Sequence, residues 1–410
     1  MIVVGAGLAG LTAAKVLAKA GLRVRVLEAA PAVGGRVRTL TQDGFTLDAG
    51  FQVLFTAYPA VRRQLELTRL DLVTLPPAAV IRDGPERETV GRDPGSLGGT
   101  LRAGSFTWPD RARVLSLAAA LKSAPAEHLL LGDDEPTLDF LRRYGFSEGV
   151  IERFFGPFFG GIFLNRGLTT SARLFRYYFR MLLDGPIAVP RGGVGRIGEQ
   201  LAEGLEVSLN TRVHGLEPDA DGVTLATSAG PLAADRVVVA TDPPELARLT
   251  GVPVPKGGVG STYLYYAADT RVDDEPRLLL NARAGFVNNA LWASNTNPLL
   301  APPGQHLLAV TVLGADRPDD LLDQGARADL STWYGGAAAR LRLLKVVRIP
   351  FAQFAQPPGF AATLLPNETP LPNVFLASEA TASSSVQGAL ESGENAAALI
   401  LGRGVRARGA

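Results

Sequence analysis

The feature that most constrains the fold of this chain is a glycine-rich turn between a short apolar strand and a helix. The strand is predicted over Met1 to Val4, and the helix continues toward Gly21. The turn between them reads Gly5, Ala6, Gly7, Leu8, Ala9 and Gly10. Gly5 permits a tight turn, Gly7 lets a diphosphate approach the backbone, and Gly10 lets helix and strand pack closely. Because the helix N-terminus offers free N–H groups and a positive dipole end, the segment predicts an anion-binding turn.

A second apolar strand, Arg23 to Leu27, ends in an acid at Glu28. A carboxylate at this position accepts hydrogen bonds from the ribose hydroxyls of an adenosine, and its charge repels a 2′-phosphate. The order strand, turn, helix, strand and acid therefore predicts a dinucleotide site that excludes NADP. Its expected contacts are Gly5, Gly7, Leu8, Ala9, Gly10, Glu28 and Ala29.

Two adjacent glycines, Gly34 and Gly35, precede Arg36 in the loop after this acid. Adjacent glycines let the backbone lie against a flat or anionic group, and the planar guanidinium can pair with phosphate oxygens or stack on a ring. A loop with solvated arginines would have the same composition, so this stretch alone leaves both interpretations open.

Residues 5–39 as a whole resemble the start of the superfamily of flavin-dependent amine oxidases, phytoene desaturases and protoporphyrinogen oxidases. The resemblance implies that Gly34, Gly35 and Arg36 contact FAD. It also implies that the stretch with Gly50, Phe51 and Gln52 lies near the isoalloxazine ring.

The C-terminal part of the chain carries a second block of this resemblance. Asn373 to Ser378 reads as a buried strand, followed by Glu379 and later by an alanine-rich helix. In the superfamily such an acid lies on the ribityl chain, and the helix N-terminus points at the flavin pyrimidine. The resemblance therefore implies FAD contacts from Glu379, Val386, Gln387 and Ala389. Ser378 stands where the superfamily usually has glycine.

A middle block runs through the glycine-rich residues 191–197, a predicted helix over Gly198 to Leu205 and two predicted strands, Val207 to Val213 and Asp235 to Ala240. By the same resemblance, the backbone of Val213 contacts adenine, and Ala240 and Thr241 form a turn near the cofactor.

The length of 410 residues is enough for two domains. The pattern implies an α/β fold with a three-layer, Rossmann-like FAD-binding domain from residues 1–75, 190–251 and 370–410. Residues 76–189 and 252–369 would form an inserted α+β substrate domain, an antiparallel sheet with a helical cap.

Composition excludes several other classes of protein. A net charge of +1 gives no electrostatic basis for binding nucleic acid. The chain has no cysteine, so we expect neither a disulfide nor a thioether to the flavin, and FAD should be bound non-covalently. Three dispersed histidines give no metal signature. Because the first strand starts at residue 1 and no apolar run is long enough to span a bilayer, we expect a cytoplasmic location, with peripheral membrane contact left open.

Two segments of the first insert are candidates for the substrate environment. Residues 154–163 are rich in phenylalanine, broken into short pieces by glycines and Pro157, and form either a cavity wall or the core of the cap. The predicted helix Arg173 to Leu182 has one apolar face and an arginine face with Arg176 and Arg180. Such a helix lies either on an anionic membrane or on its own protein core.

The flavin would accept a hydride at N5 and pass electrons to oxygen, a quinone or another acceptor. The sequence identifies no catalytic acid or base; Lys256, the only lysine between residues 123 and 344, is one candidate for a position near flavin N5. We expect a desaturase or oxidase acting on an apolar substrate, such as a polyene, an isoprenoid or a porphyrinogen. An amine oxidase and a redox-neutral carotenoid-type isomerase remain alternatives.

Overall fold

The computed structural model describes residues 1–50, 53–92, 94–255 and 257–404. A five-stranded parallel sheet joins three distant parts of the chain, and its strands, in spatial order, are Glu206–Ser208, Arg25–Leu27, Ile2–Val4, Val237–Val239 and Val374–Leu376. The three central strands have three residues each. They are rich in valine because both faces of the sheet are covered.

Helices cover one face of this parallel sheet and a small antiparallel sheet covers the other. Val3 and Val238 share a core with the helices Leu8–Lys19, Gly195–Ala202 and Val386–Ile400. The opposite face packs on the three-stranded antiparallel sheet Val213–Pro218, Val223–Thr227 and Gly230–Ala234, and on the helix Pro243–Thr250. These are the three layers expected from the sequence, and the α/β fold class is confirmed.

A second, seven-stranded sheet is built from residues 78–91 and 258–354. Its strands, in spatial order, are Arg342–Phe354, Gly258–Ala268, His306–Leu313, Asn289–Trp292, Leu278–Asn281, Ala78–Asp83 and Glu86–Gly91. All neighbours are antiparallel except Leu278–Asn281 and Ala78–Asp83. The helix Asp319–Tyr334 covers one face, and the strand Phe45–Asp48 packs against the other.

Short elements connect the two large sheets. Thr39–Gln42 and Phe45–Asp48 form a hairpin, and Leu54–Phe55, Ile187–Pro190 and Leu72–Thr74 form a small antiparallel sheet. The remaining α-helices are Pro59–Gln64, Leu97–Arg102, Trp108–Lys122, Thr137–Tyr144, Glu148–Val150, Gly156–Phe163, Ala172–Asp184 and Ala293–Thr296.

Most of the helices between residues 97 and 184 enclose an aromatic core. Phe155, Phe159 and Phe175 are almost fully buried and contact one another, with ring centroids 4.6 to 6.2 Å apart. The expectation that Pro157 and its neighbouring glycines break this stretch into pieces is wrong. A π-helix, Ile151–Phe155, continues directly into Gly156–Phe163, and this π-helical turn accommodates the proline, whose ring and missing N–H would disrupt regular α-helical hydrogen bonding.

The strand predicted over Val207 to Val213 is also wrong in detail. The chain instead forms Glu206–Ser208 in the parallel sheet and then Val213–Pro218 in the antiparallel sheet. Asn210 between them adopts a left-handed conformation with a φ of 53°, which turns the chain from one layer to the next. The division into two domains at the expected boundaries stays a prediction. In the part of the chain that the structure describes, no helix has the length and apolar character that crossing a membrane requires.

Candidate functional site

The glycine turn between the first strand and the first helix is fixed by close backbone packing. Gly5 has a φ of +106° and donates its N–H to the carbonyl of Leu27 at 2.8 Å. A Cβ on Gly5 would lie 2.6 Å from the carbonyl oxygen of Ala240, and a Cβ on Gly10 would lie 2.1 Å from the oxygen of Gly5. Larger residues would displace the backbone at both positions, so these two glycines bring helix and strand together.

Gly7 differs from Gly5 and Gly10, because it faces open space and is not needed for close packing of helix and strand. A Cβ added there would meet nothing within 4 Å, and its φ of −71° is available to any residue. Among the described residues, no side chain caps the helix Leu8–Lys19, and its first turn, with Ala9 and Gly10, contains no acid. By contrast, Ser385 caps the C-terminal helix by accepting from the Gly388 N–H at 2.9 Å. An uncapped helix N-terminus beside open space fits a diphosphate.

Glu28 lies beside this turn, at the end of the second strand of the parallel sheet. Its Oε2 accepts from the Ala6 N–H at 2.7 Å, and its Oε1 accepts from the Ala30 N–H at 2.8 Å. The backbone oxygen of Glu28 accepts from Thr211 at 2.8 Å, which brings the start of the strand with Val213 to the same place. Each carboxylate oxygen has further lone pairs, so the side chain is positioned to accept from ribose hydroxyls.

The second glycine pair lies directly against the first turn. The N–H of Gly34 donates to the carbonyl of Ala6 at 2.8 Å, and a Cβ on Gly35 would lie 3.2 Å from the Cα of Gly7. Gly34 and Gly35 both have positive φ, at 102° and 59°. The loop therefore approaches the backbone of the glycine turn closely while the space beside Gly7 stays open, and Arg36 follows directly after this contact.

Arg36 connects three distant segments of the chain. Its Nη1 donates to the carbonyl of Ala352 at 2.6 Å, and its Nη2 lies 2.6 Å from Oε1 of Glu379. The Glu379 side chain is only 3% exposed, whereas that of Arg36 is 38% exposed. Ser384 donates a short hydrogen bond to the other carboxylate oxygen of Glu379. The N-terminal loop, the long strand of the second sheet and the C-terminal acid thus meet at one ion pair.

The C-terminal helix packs on the first helix through another glycine. A Cβ on Gly393 would lie 2.4 Å from the carbonyl oxygen of Ala9, and a Cβ on Gly388 would lie 2.0 Å from the carbonyl oxygen of Ser383. The middle of Val386–Ile400 therefore packs closely on the first turn of Leu8–Lys19, and its N-terminus packs on Ser383. The C-terminal block expected from the sequence meets the N-terminal block directly.

The remaining predicted contacts have varied surroundings. Ala29 is exposed beside Glu28, and Thr241 follows the turn residue Ala240. The carbonyl of Val213 accepts from Arg248 at 3.3 Å, while its side chain is buried. Gln387 uses its side chain inside the protein, accepting from the Ala60 N–H at 2.9 Å. Val386 and Ala389 are half-buried in the first turn of the final helix. The roles of all these residues toward a cofactor stay predictions.

Gly50 marks the contact between the glycine-turn side of the protein and the seven-stranded sheet. It has a φ of +103°, and a Cβ there would lie 3.0 Å from the ring of Tyr263 and 3.1 Å from Ile349. The next two predicted contacts, Phe51 and Gln52, lie outside the described residues. At Gly50 the chain therefore passes directly over the face of the seven-stranded sheet.

Asp48, two residues before Gly50, has an unusual environment. Its Oδ1 accepts from the Thr39 hydroxyl at 2.8 Å and from the Val194 N–H at 2.9 Å. Burial raises the pKa of Asp48 to about 6, although both of these hydrogen bonds oppose the shift. The carboxyl also lines a cavity of about 40 Å³ that is otherwise mainly apolar.

The raised pKa of Asp48 gives a testable pH dependence. An aspartate in an unfolded chain ionises near pH 3.9, so between about pH 4 and pH 6 the folded state binds one proton more than the unfolded state. Its contribution to stability is therefore present at the acid end of this range and is lost as the pH rises through about 6. Relative to Asp48→Asn, the wild type should lose on the order of 2–3 kcal/mol of unfolding free energy between pH 4 and pH 7. Urea unfolding of both proteins measures this, and parallel pH profiles would contradict it.

A group of tyrosines beside the C-terminal motif escaped the sequence analysis. Tyr178 is buried, and burial raises its pKa to about 12, while the nearby hydroxyls of Ser385 and Ser383 partly oppose the shift. Tyr58 and Tyr177 pack against it with ring centroids about 6 Å away. The apolar spacing of residues 175–182 indicated that Tyr178 faces inward, but only the fold brings it to residues 383–385.

The sequence offered one candidate for a catalytic position near flavin N5. Lys256 lies outside the described residues. Across residues 1–50, 53–92, 94–255 and 257–404, no cluster of three or more histidine or acidic side chains could hold a metal ion. The site is therefore described by its binding surfaces rather than by an acid or base.

The glycine turn, the acid that follows the second strand and the C-terminal motif converge in an α/β fold, which is an arrangement typical of enzymes that bind dinucleotides. Residues 8–401 match the family of flavin containing amine oxidoreductases, and the chain belongs to this family. The protein is accordingly an oxidoreductase with a flavin cofactor, a small-molecule substrate and an electron acceptor.

The names of the relatives indicate different substrates. A phytoene dehydrogenase from Streptomyces griseus is 27% identical over a 365-residue alignment that covers 75% of this chain and 71% of that protein. The solved structure of an oxidoreductase from Methanosarcina mazei has a TM-score of 0.76 at 19% identity and covers 98% of this chain and 99% of its own. A putrescine oxidase bound to putrescine has a TM-score of 0.72 at 20% identity, with 98% of both chains covered. The two structures share the fold.

Proposed function

We propose that the protein binds FAD non-covalently in the cleft formed by its three converging segments. The N–H groups at the start of the helix Leu8–Lys19 would hold the diphosphate, and Glu28 would accept from the adenosine ribose. Arg36 and Glu379 lie where the ribityl chain and its phosphates would pass. The contact among the glycine turn, the Gly34–Gly35 loop and the C-terminal acid is the observation that supports this arrangement.

The same arrangement supports the proposed domain division. All five strands of the parallel sheet lie within residues 1–75, 190–251 and 370–410, which we propose as the FAD-binding domain. All seven strands of the second sheet, and the helices between residues 97 and 184, lie within residues 76–189 and 252–369. We propose these two segments as the substrate domain.

We further propose that the substrate is apolar, of the polyene, isoprenoid or porphyrinogen kind, and that the enzyme is a desaturase or oxidase. Bound FAD supplies a hydride acceptor at N5 for a substrate C–H bond. The chain's own contribution is to orient the substrate and exclude water, for which the half-buried, stacked rings of Phe154 and Phe158 at the edge of the aromatic core supply an apolar surface. The phytoene dehydrogenase from Streptomyces griseus, which aligns over 365 residues, supports the same substrate class.

An anaerobic titration of the purified holoenzyme tests this proposal. Polyenes, porphyrinogens and amines are added one at a time, and the flavin absorbance near 450 nm is followed for bleaching. We expect an apolar, conjugated substrate to reduce the flavin and the amines to leave it oxidised. Readmission of oxygen or addition of a quinone then identifies the electron acceptor. Conversion of a polyene without any uptake of acceptor would instead favour the isomerase.

An amine oxidase is the second candidate, and the position of Tyr178 supports it. The C-terminal motif lacks an aromatic residue just before Gly388 and Ala389, which amine oxidases of this superfamily usually carry. Tyr178 reaches Ser383 and Ser385 from a different helix and brings an aromatic ring to that region. If amines alone reduce the flavin, Tyr178→Leu should raise the amine concentration needed for half-reduction by about tenfold or more, because a cation–π contact would be lost. Tyr144→Leu, on an outer helix, is the matched control.

A further inference from the structure

Large apolar side chains are exposed in one short part of the chain. Of the nine large hydrophobic residues that the described structure leaves exposed, five fall between residues 97 and 131. They are Leu97, Leu101, Trp108, Leu115 and Leu131. Trp108 and Leu115 are 69% and 73% exposed, which is unusual for residues of this size in a protein with a complete core.

Arg111 joins the two helices that carry most of these residues. Its guanidinium donates to the carbonyls of Thr100, Leu101 and Ala103 and lies 4.8 Å from the ring centroid of Trp108. The end of Leu97–Arg102 is therefore held against the first turn of Trp108–Lys122. Leu101 and Trp108 consequently belong to one surface, which we call the apolar cap surface.

The outer face of Trp108–Lys122 continues this surface. Trp108, Ala112, Leu115 and Ala119 are exposed at the spacing of a single helix face, and Leu117 and Leu121 on the opposite face are buried. The helix thus has an apolar stripe toward its core and a second one toward solvent. A helix that only packs on its own protein needs the first stripe but not the second.

Between residues 94 and 126, which carry four of the five exposed apolar side chains, the exposed charges have one sign; Leu131 lies outside this segment, between the exposed acids Glu127 and Asp133. Residues 94–126, all of which the structure describes, contain the bases Arg102, Arg111, Arg113 and Lys122 and a single acid, Asp110. Asp110 is fully buried and accepts from Thr107 and Ser147. The exposed charge in this segment is therefore positive.

We propose that the apolar cap surface docks on the surface of an anionic lipid bilayer. Exposed leucines and a tryptophan flanked by arginine and lysine match such a surface, because the apolar groups enter the acyl boundary while the cations pair with headgroup phosphates. A bilayer is also where an apolar substrate of the proposed kind dissolves, although the docking surface stands on its own geometry.

The arginine helix that the sequence suggested for this purpose is engaged elsewhere. Arg180 of Ala172–Asp184 pairs with Asp184 at 2.5 Å and donates to the carbonyls of Leu121 and Ala124. Arg173 donates to the carbonyl of Gly132. These side chains hold the cap helices together, so the docking surface lies on the outer helices instead.

Trp108 itself provides the test. The chain has three tryptophans, of which Trp292 is fully buried and Trp333 is 5% exposed, so lipid contact should change the emission of Trp108 alone. The holoenzyme is mixed, without substrate, with vesicles of phosphatidylcholine containing 30% phosphatidylserine. We expect a blue shift of the emission and quenching by brominated lipid, both absent in Trp108→Phe. Because no substrate is present, the result does not depend on the proposed function.

Variants distinguish lipid docking from other uses of this surface. Leu115→Gln should weaken vesicle binding by about tenfold, and Arg102→Gln with Lys122→Gln by about tenfold or more. The matched control is Leu299→Gln, since Leu299 is 67% exposed but lies outside the cap, and it should bind as the wild type does. Three results would each overturn the proposal. They are an equal loss of vesicle binding in Leu299→Gln, an unchanged Trp108 emission in the presence of vesicles, and a dimer whose dissociation alone changes that emission.

Discussion

Replacing Gly7 by aspartate is expected to give a folded protein that purifies without flavin. A Cβ on Gly7 meets nothing within 4 Å, and the φ of −71° and ψ of 174° suit an aspartate at a helix N-cap. The new carboxylate would accept from the first-turn N–H groups, which adds a few tenths of a kcal/mol to the stability of the apoprotein. The same carboxylate would occupy the position of the diphosphate and repel it. We expect affinity for FAD to fall by about 100-fold or more.

The measurements are the flavin-to-protein absorbance ratio, an FAD titration of the apoprotein and its thermal midpoint. Gly149→Asp is the matched control, because a Cβ on Gly149 also meets open space. Gly149 lies in the cap helix Glu148–Val150, more than 100 residues along the chain from Gly7. This variant should retain a full complement of flavin. A yellow Gly7→Asp protein with normal FAD affinity would show that the cofactor binds elsewhere, and with it the proposed site would be wrong.

Removing the charge of Arg36 is expected to destabilise the apoprotein by roughly 2–3 kcal/mol. Arg36→Met leaves the Glu379 carboxylate, 3% exposed, without its cation, and among the described residues the Ser384 hydroxyl remains as its hydrogen-bond donor. Because Arg36 is partly exposed, the loss of unfolding free energy should be smaller than for a fully buried ion pair. Because the same ion pair joins the N-terminal loop to the C-terminal acid, the flavin content of the purified protein should also fall.

A double-mutant cycle separates the ion pair from general damage. Arg36→Met combined with Glu379→Gln should recover at least about 1 kcal/mol relative to the sum of the two single changes. The control is Arg25→Met, since Arg25 and Glu206 form an ion pair whose side chains are 42% and 69% exposed. That change should cost less than about 1 kcal/mol in urea unfolding. Additive effects in the cycle would mean that the two residues do not act as a pair.

The sequence predicted the elements whose signal is local. The strand Ile2–Val4, the helix Leu8–Lys19 and the acid Glu28 are readable because a glycine turn and an apolar strand depend on neighbouring residues. Errors arose where a distant contact decided the local structure, as at Pro157, where a π-helix accommodates the proline within a continuous helical run.

Neighbouring residues alone determined that this chain has a glycine turn between a strand and a helix, and the motifs at both ends of the chain indicated a flavoprotein. Only the tertiary structure decided that Arg36 pairs with a residue more than 300 positions away and that Tyr178 lies near Ser383 and Ser385. It also decided that Arg180 binds backbone carbonyls at the end of a neighbouring cap helix instead of pointing into solvent. The exposed face of Trp108–Lys122 also became visible only in three dimensions. The physical reason is that a backbone turn is fixed by the conformations of adjacent residues, whereas burial and ion pairing depend on which distant segments the fold brings together.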